Sequence, residues 1–239
     1  EEWETRQRVL KALPTEINEI HTSESHAGVW GFWKGLGPKG STVGLRADMD
    51  ALPIEEDAHD GRPYTSKHKG IMHACGHDVH MTCLLGALHI LKDCRQDWGG
   101  TLSFLFQPGE EKLPGGANAM MESGALDALD TGPLLALHVF PEAPVGTLGF
   151  RPGPYMASTD ELHIQVKGSG GHAALPERMT NPVVAAAELT TELYELPKNL
   201  LDKAFLPIVA IGKINAPGAT NVIPPLVEME GTIRCLKAE

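Results

Sequence analysis

A nine-residue segment, Met72–His80, concentrates metal-binding side chains and constrains this chain more than any other feature. It contains one thiol, three imidazoles and one carboxylate. Cys75 and His77 are two residues apart, so a thiolate and an imidazole can bind one ion that accepts both sulfur and nitrogen. The leucines from Leu84 to Leu91 recur at helical spacing and predict a buried helix directly after the segment. The alternative is a polar loop that is rich in histidine and binds nothing.

Two adjacent carboxylates and a further histidine follow apolar stretches downstream. The run from Thr101 to Phe106 predicts a buried strand, and a proline and a glycine end it before Glu110 and Glu111. Adjacent carboxylates repel each other, so one typically binds a metal ion while the other accepts a proton from water. His138 follows a second short apolar run, residues 134–137, which also predicts a buried strand. Alone, these residues could belong to a solvated loop or to the core, but open α/β sheets place ligand crevices at such strand ends.

Five motifs together resemble the M20 metallopeptidases, and in particular the branch with hippurate hydrolases, N-acyl-amino-acid deacetylases and indole-acetyl-amino-acid hydrolases. The motifs are His73-Ala74-Cys75-Gly76-His77-Asp78, Gln107-Pro108 with Glu110-Glu111, Leu137-His138-Val139, Arg46-Ala47-Asp48-Met49-Asp50-Ala51-Leu52-Pro53 and Arg151-Pro152-Gly153-Pro154-Tyr155-Met156-Ala157-Ser158. The resemblance implies an α/β fold with two parts. Residues 1–156 are expected to form a zinc-peptidase-like catalytic domain, a mixed sheet with flanking helices, and residues 157–239 an inserted α+β lid or dimerisation domain.

The resemblance also implies a role for each matching residue of the first part. The residues that match metal ligands are Cys75, His77, Glu111 and His138. Glu110 matches the general base and acid. Asp50 matches a carboxylate kept beside the metal site, and Asp48 lies two residues earlier on the same face of an extended segment, so both are expected to support the ligands. His73 and His80 are not assigned as ligands, because either could simply form hydrogen bonds within the cluster.

The implied cofactor is a divalent metal, one or two ions per subunit in the complete protein, with zinc, manganese, cobalt and nickel all compatible with the ligands. The implied reaction is hydrolysis of the amide bond of an N-acyl amino acid or small peptide-like substrate by a metal-activated water, with Glu110 moving the proton. Two alternatives stay open. One is a degenerate family member that binds metal without turnover; the other is a thiol nucleophile at Cys75 paired with His77.

The second half of the chain alternates strands with one helix. Residues 161–167 predict a half-solvated strand, and further strands are predicted at about 208–214 and 226–234. Asn181 and Pro182 are typical of a helix start, and the helix is expected to end near Leu196, before Pro197.

The resemblance assigns chemistry to this second half as well. His172 matches a histidine that polarises the scissile carbonyl, usually in the site of the partner subunit, which implies a homodimer formed through the lid. Asn221 and Arg234 match residues that hold the substrate carboxylate, for which an amide and a guanidinium are suitable donors. Many members of the family have a histidine at the position of Glu177, so this departure puts a role for the position in doubt.

Composition and termini limit the remaining possibilities. The net charge of −11 argues against nucleic acid and anionic membranes as partners, and the sequence contains no long apolar segment. Cys83 and Cys94 lie on one predicted helix, which favours buried free thiols and a reducing, cytoplasmic location. The chain begins without methionine and stops inside the predicted lid. We therefore expect a fragment that lacks a further metal-ligand histidine and is itself inactive.

Overall fold

The structure is a computed structural model that describes residues 2–17, 19–57, 61, 63–127, 132–200 and 207–236. Its contacts divide the chain into two compact units, Glu1–Val145 and Gly146–Glu239. No helix in these described ranges is long and apolar enough to cross a membrane.

The first unit is a mixed sheet with helices. Its helices are α1 (Glu2–Ala12), α2 (His77–Asp93) and α3 (Gly116–Glu122), and its strands are β1 (Glu19–Thr22), β2 (Val29–Lys34), β3 (Thr42–Asp48), β4 (Thr101–Gln107) and β5 (Leu134–Ala136). The sheet order is β1-β2-β4-β3-β5. The β1–β2 and β2–β4 pairs are antiparallel, whereas β3 runs parallel to both β4 and β5.

The core of the first unit lies on both faces of this sheet, because side chains of β4 alternate between them. Phe104 and Phe106 are fully buried on the face that packs against α1 and α2, where Leu88 of α2 is also fully buried. Leu105 points to the other face and packs with Met120 of α3. Each such burial stabilises the fold by about 1.5–3 kcal/mol, so the position of α2 on the sheet is strongly determined.

The parallel strands β3, β4 and β5 all end on the same side of the sheet, called here the C-terminal edge. Asp48 at the end of β3 is in register with Gln107 at the end of β4, and β5 runs in the same direction on the other side of β3. The helix α2 begins beside this edge, after Gly76 in the left-handed conformation with φ 83°. Side chains directly after these strands and at the start of α2 therefore share one region.

The second unit is a smaller α+β arrangement. It consists of β6 (Ser158–Lys167), β7 (Gly171–His172), a short 3-10 helix (Pro176–Arg178), α4 (Pro182–Leu200), β8 (Ile208–Asn215), β9 (Val222–Ile223) and β10 (Leu226–Cys235). An antiparallel sheet of order β6-β10-β8 packs one face against α4, with Ala186, Val227 and Met229 buried between them. β7 and β9 form a separate two-stranded sheet.

Three sequence-based expectations about this fold were wrong. The helix α4 continues through Pro197 rather than ending before it, since a proline removes a single N–H and a helix can continue past it. The side chains of β5 are exposed instead of buried, because β5 pairs only with β3 in the described residues and lies at the edge of the sheet. Cys83 is exposed and Cys94 is partly exposed, so both are free thiols but neither is buried.

Candidate metal centre

The structure brings together the seven predicted site residues of the first unit where β3, β4 and β5 end and α2 begins. They are Asp48, Asp50, Cys75, His77, Glu110, Glu111 and His138. Within this cluster the possible ligand atoms of Cys75, His77 and His138 lie within 4.8 Å of one another, and so do those of His77, Glu110 and Glu111. His77 belongs to both groups.

The imidazole of His77 presents an unsatisfied nitrogen to this cluster. The residue is 0% exposed, and its Nδ1 donates to the backbone carbonyl of Asp50 at 3.0 Å and to Oδ1 of the same residue at 3.2 Å. With the proton on Nδ1, the Nε2 atom carries a lone pair. Among the described residues Nε2 has no hydrogen-bond partner, and the carboxylates of Asp48, Glu111 and Glu110 lie 3.7, 3.8 and 3.9 Å from it.

A cation satisfies this arrangement. A buried lone pair beside several carboxylates is costly by itself, and a divalent ion removes both the unsatisfied nitrogen and the repulsion between the carboxylates. The donor set combines sulfur, nitrogen and oxygen, which zinc and related divalent metals accept. The residues present therefore fit a metal ion.

The thiol of Cys75 and the imidazole of His138 complete one side of the cluster. Nδ1 of His138 donates to the backbone carbonyl of Val139 at 2.9 Å, so its Nε2 carries the lone pair, and this atom lies 3.3 Å from Sγ of Cys75. Burial, together with the negative charges of Glu111 and Glu110, raises the pKa of the Cys75 thiol to about 12. Without a cation the thiol is therefore protonated, with the carboxylate of Glu111 and Nε2 of His138 as possible acceptors, and a bound cation would replace that proton.

The two adjacent glutamates differ in their surroundings. The side chain of Glu110 is 42% exposed and that of Glu111 26% exposed. The backbone N–H of Glu111 donates to Oδ2 of Asp50 at 2.9 Å, which fixes the position of Glu111. Burial, and then repulsion by Glu111, raises the pKa of Glu110 above its ordinary value. A more accessible carboxyl with a raised pKa is suited to accept and return a proton near neutral pH.

Asp50 supports two members of the cluster at once. Its Oδ1 accepts from His77 and its Oδ2 accepts from the backbone of Glu111. Burial raises the pKa of Asp50, but these hydrogen bonds outweigh it and hold the pKa below its ordinary value. Asp50 is therefore a carboxylate that sets the tautomer of His77. Carboxylates that accept a hydrogen bond from a metal-binding histidine commonly do so in metal sites.

Asp48 has its oxygens engaged elsewhere. Oδ1 accepts from Nδ1 of His80 at 2.6 Å and Oδ2 accepts from a terminal nitrogen of Arg46 at 2.7 Å, while Nε of Arg46 donates to Gln107. Asp48, His77 and His80 are near enough to one another to hold an ion. Asp48 and His80 already bind each other and further partners, which leaves the cysteine and glutamate side of the cluster as the candidate site for an ion. Sequence reasoning gave no role to Arg46 and Gln107, although both lie within the quoted motifs.

In the second unit the structure brings two of the three predicted residues together. His172 in β7 is opposite Val222 of β9, and the backbone N–H of Ala173 donates to the carbonyl of Asn221 at 3.0 Å. The N–H of Ala174 donates to Nδ1 of the exposed His172 at 3.1 Å, so a neutral imidazole carries its proton on Nε2. Arg234 lies on the other sheet of this unit, exposed on β10.

Comparisons with known proteins agree with this geometry. The family described as Peptidase family M20/M25/M40 matches residues 44–216, and the chain belongs to this family. It is 41% identical over 239 residues to an N-acetyl-L-cysteine deacetylase of Bacillus subtilis (strain 168), covering all of this chain and 56% of the relative. It is 43% identical over 243 residues to an N-acetyldiaminopimelate deacetylase of Geobacillus sp. (strain WCH70), covering all of this chain and 62% of the relative.

Solved structures show the same fold. A putative aminohydrolase from methicillin-resistant Staphylococcus aureus matches with a TM-score of 0.83 and 32% identity, over 98% of this chain and 60% of that one. A dinuclear metal binding peptidase of the M20 family from Bacillus subtilis matches with a TM-score of 0.77 and 34% identity, over 100% of this chain and 60% of that one. The mixed α/β fold predicted from the sequence is therefore confirmed. The chain spans 56–62% of the length of these curated relatives.

Proposed function

We propose that the complete protein containing this chain is a metal-dependent hydrolase of the amide bond in N-acyl amino acids. The observation that carries the proposal is the buried Nε2 of His77, which has no hydrogen-bond partner in the part of the chain that the structure describes. It faces the carboxylates of Asp48, Glu111 and the more accessible Glu110. The names of the relatives, deacetylases of N-acetyl-L-cysteine and N-acetyldiaminopimelate, support this substrate class.

In this proposal four side chains hold the metal and one moves protons. The proposed ligands are Cys75, His77, Glu111 and His138. A divalent ion held there supplies Lewis acidity and lowers the pKa of water. Glu110 takes a proton from the attacking water and returns it to the leaving amine, a transfer for which its raised pKa is suited. Asp50 keeps His77 in the tautomer whose Nε2 can bind an ion.

The second unit is proposed to bind and polarise the substrate. His172 would donate its Nε2–H to the developing oxyanion, since the backbone of Ala174 occupies Nδ1. Asn221 and Arg234 would hold the substrate carboxylate. We further propose that residues 1–156 form the catalytic domain and residues 157–239 an inserted lid, and that the lid pairs two subunits into a homodimer.

The two alternatives are less consistent with the site. A raised pKa of about 12 leaves the Cys75 thiol protonated, whereas a nucleophilic cysteine needs a lowered pKa. A centre that only binds metal has no use for Glu110, which lies beside the ligands and is the more exposed of the two glutamates.

An amine-release assay tests the proposal. The complete protein, loaded in turn with zinc, manganese, cobalt and nickel, would be incubated with acetyl, benzoyl, succinyl and indole-acetyl amino acids, including N-acetylcysteine and N-acetyldiaminopimelate. We expect release of the free amino acid from at least one acyl series, and its loss in the Glu110→Gln variant. A protein that binds the metal but releases no amine from any of these substrates would contradict the proposal.

A further inference from the structure

We infer that His80 is a positioning residue that places His138 in the metal centre through the backbone of Val139. The inference rests on the proposed metal role of His138. His80 is 1% exposed and lies in the first turn of α2, three residues after His77. It does not belong to the proposed set of ligands.

The two ring nitrogens of His80 have different partners, a hydrogen-bond acceptor at one and a hydrogen-bond donor at the other. Nδ1 lies 2.6 Å from a carboxylate oxygen of Asp48, and Nε2 lies 2.9 Å from the backbone nitrogen of Val139. An ionised carboxylate can only accept and a backbone N–H can only donate, so His80 is neutral with its proton on Nδ1. Since neither nitrogen is free, His80 connects two parts of the fold and does not bind an ion.

The segment that His80 contacts has few other ties in the described residues. It follows β5, a three-residue strand at the edge of the sheet whose side chains are all exposed. Val139 also lies against the turn before α2, because a Cβ at Gly76 would be 2.4 Å from Cγ2 of Val139. The rings of His80 and His138 are in edge contact, with centroids 4.6 Å apart. Together these contacts fix the backbone from which the imidazole of His138 reaches Cys75.

The connection continues into the sheet. Asp48, which accepts a hydrogen bond from His80, also accepts one from a terminal nitrogen of Arg46 at 2.7 Å. Nε of Arg46 in turn donates to Oε1 of Gln107 at 2.9 Å. One chain of hydrogen bonds therefore links the ends of β3 and β4, the first turn of α2 and the segment after β5. Such supporting partners commonly change metal affinity about 10–100-fold when removed.

Two substitutions separate the two contacts of His80. In His80→Asn the amide can still reach Asp48 but not Val139, whereas in His80→Gln the amide oxygen can still accept from Val139 but the contact with Asp48 is lost. The control is His89→Gln, which lies on the same helix and hydrogen-bonds to Ala12 away from the cluster. The measurement is a Co²⁺ titration of the complete protein, followed by visible absorption, with the melting temperature recorded for each variant.

We expect His80→Asn to weaken Co²⁺ binding about 10–100-fold while the cobalt–thiolate band from Cys75 remains, with a smaller loss in His80→Gln and none in His89→Gln. Binding within twofold of wild type in a folded His80→Asn variant would overturn the inference, as would a larger loss in His80→Gln. If His80→Asn does not fold, ¹⁵N NMR of the wild-type histidines decides: a protonated Nε2 on His80 overturns the inference. His138→Ala tests the underlying metal role separately, because unchanged Co²⁺ binding there would contradict the proposed function.

Discussion

Sγ of Cys75 lies 3.3 Å from Nε2 of His138, although the two residues are 63 positions apart in the sequence. The thiol lies in the turn before α2 and the imidazole lies just beyond β5. They meet because β3 and β5 are parallel, so the chain after β5 emerges at the edge where α2 begins. This pair of soft and borderline donors is the part of the cluster that favours zinc-like ions over magnesium or calcium.

Metal binding is expected to release the proton of the Cys75 thiol. With a pKa of about 12 the metal-free thiol is protonated throughout the neutral range, whereas a cysteine ligand is a thiolate. Affinity should therefore rise with pH, by about tenfold per unit for each proton released. Isothermal titration in two buffers with different ionisation heats gives the proton count. Cys75→Ser should release about one proton fewer per ion, and an unchanged count would show that the thiol is not a ligand.

Asp50 is expected to stabilise the fold and to do so in a pH-dependent way. Its folded-state pKa lies below the ordinary value, so its contribution is present above about pH 4 and is lost as the pH falls through the lower folded value. Asp50→Asn turns one acceptor into a donor that opposes His77 or the backbone of Glu111, at a cost of about 1–3 kcal/mol.

Urea unfolding of the metal-free protein between about pH 2 and pH 6, roughly two units on either side of the ordinary carboxyl pKa, measures this pH dependence of the free energy of unfolding. Asp50→Asn should be less stable and should lose part of the acid dependence. Asp78→Asn removes an exposed carboxylate from the first turn of α2 and serves as the control. If the free energy of unfolding falls equally with decreasing pH in the wild type and in Asp50→Asn, Asp50 does not have this role.

Gly76 is expected to tolerate no side chain. It has φ 83°, and a Cβ there would lie 2.4 Å from Cγ2 of Val139. Gly76→Ala therefore combines backbone strain with displacement of the segment that carries His138, and should destabilise the protein by about 1–3 kcal/mol and weaken metal binding. Gly146→Ala is the matched control, because Gly146 has φ 85° and no atom within 4 Å of the added carbon. Equal losses in both variants would show that the contact with Val139 is unimportant.

The proposed exchange of His172 between subunits is testable by complementation. His172→Ala and Glu110→Gln should each be inactive, because one lacks the oxyanion donor and the other the base. If His172 acts in the partner's site, mixing the two variants should restore part of the activity, since a heterodimer rebuilds one complete site. Absence of recovery despite demonstrated subunit exchange would place His172 in the site of its own chain or outside the reaction.

The convergence of the site could be predicted because it depends on chain direction. Apolar runs predict β4 and β5, and the ligand-type residues follow their ends or precede α2. Open α/β sheets place ligand crevices at the ends of such strands, so the sequence predicts that Glu111 and His138 lie near His77. Their roles as ligands stay predictions until metal binding is measured.

Other features carried no sequence signal. The hydrogen bond from Val139 to His80 involves a backbone N–H, which every residue except proline has, so no residue type indicates it. The exposure of β5 depends on what lies beside the strand rather than on its own leucines. The extension of α4 past Pro197 shows that a proline, which removes one N–H, need not end a helix.

The division of labour between Glu110 and Glu111 is the central claim, and one paired measurement tests it most directly. Metal content and turnover would be measured for Glu110→Gln and Glu111→Gln in the complete protein. We predict that Glu110→Gln keeps its metal while turnover falls by about 10²–10⁴-fold, and that Glu111→Gln loses metal. Turnover of Glu110→Gln within about tenfold of wild type, or loss of metal in that variant with metal retained in Glu111→Gln, would contradict the account.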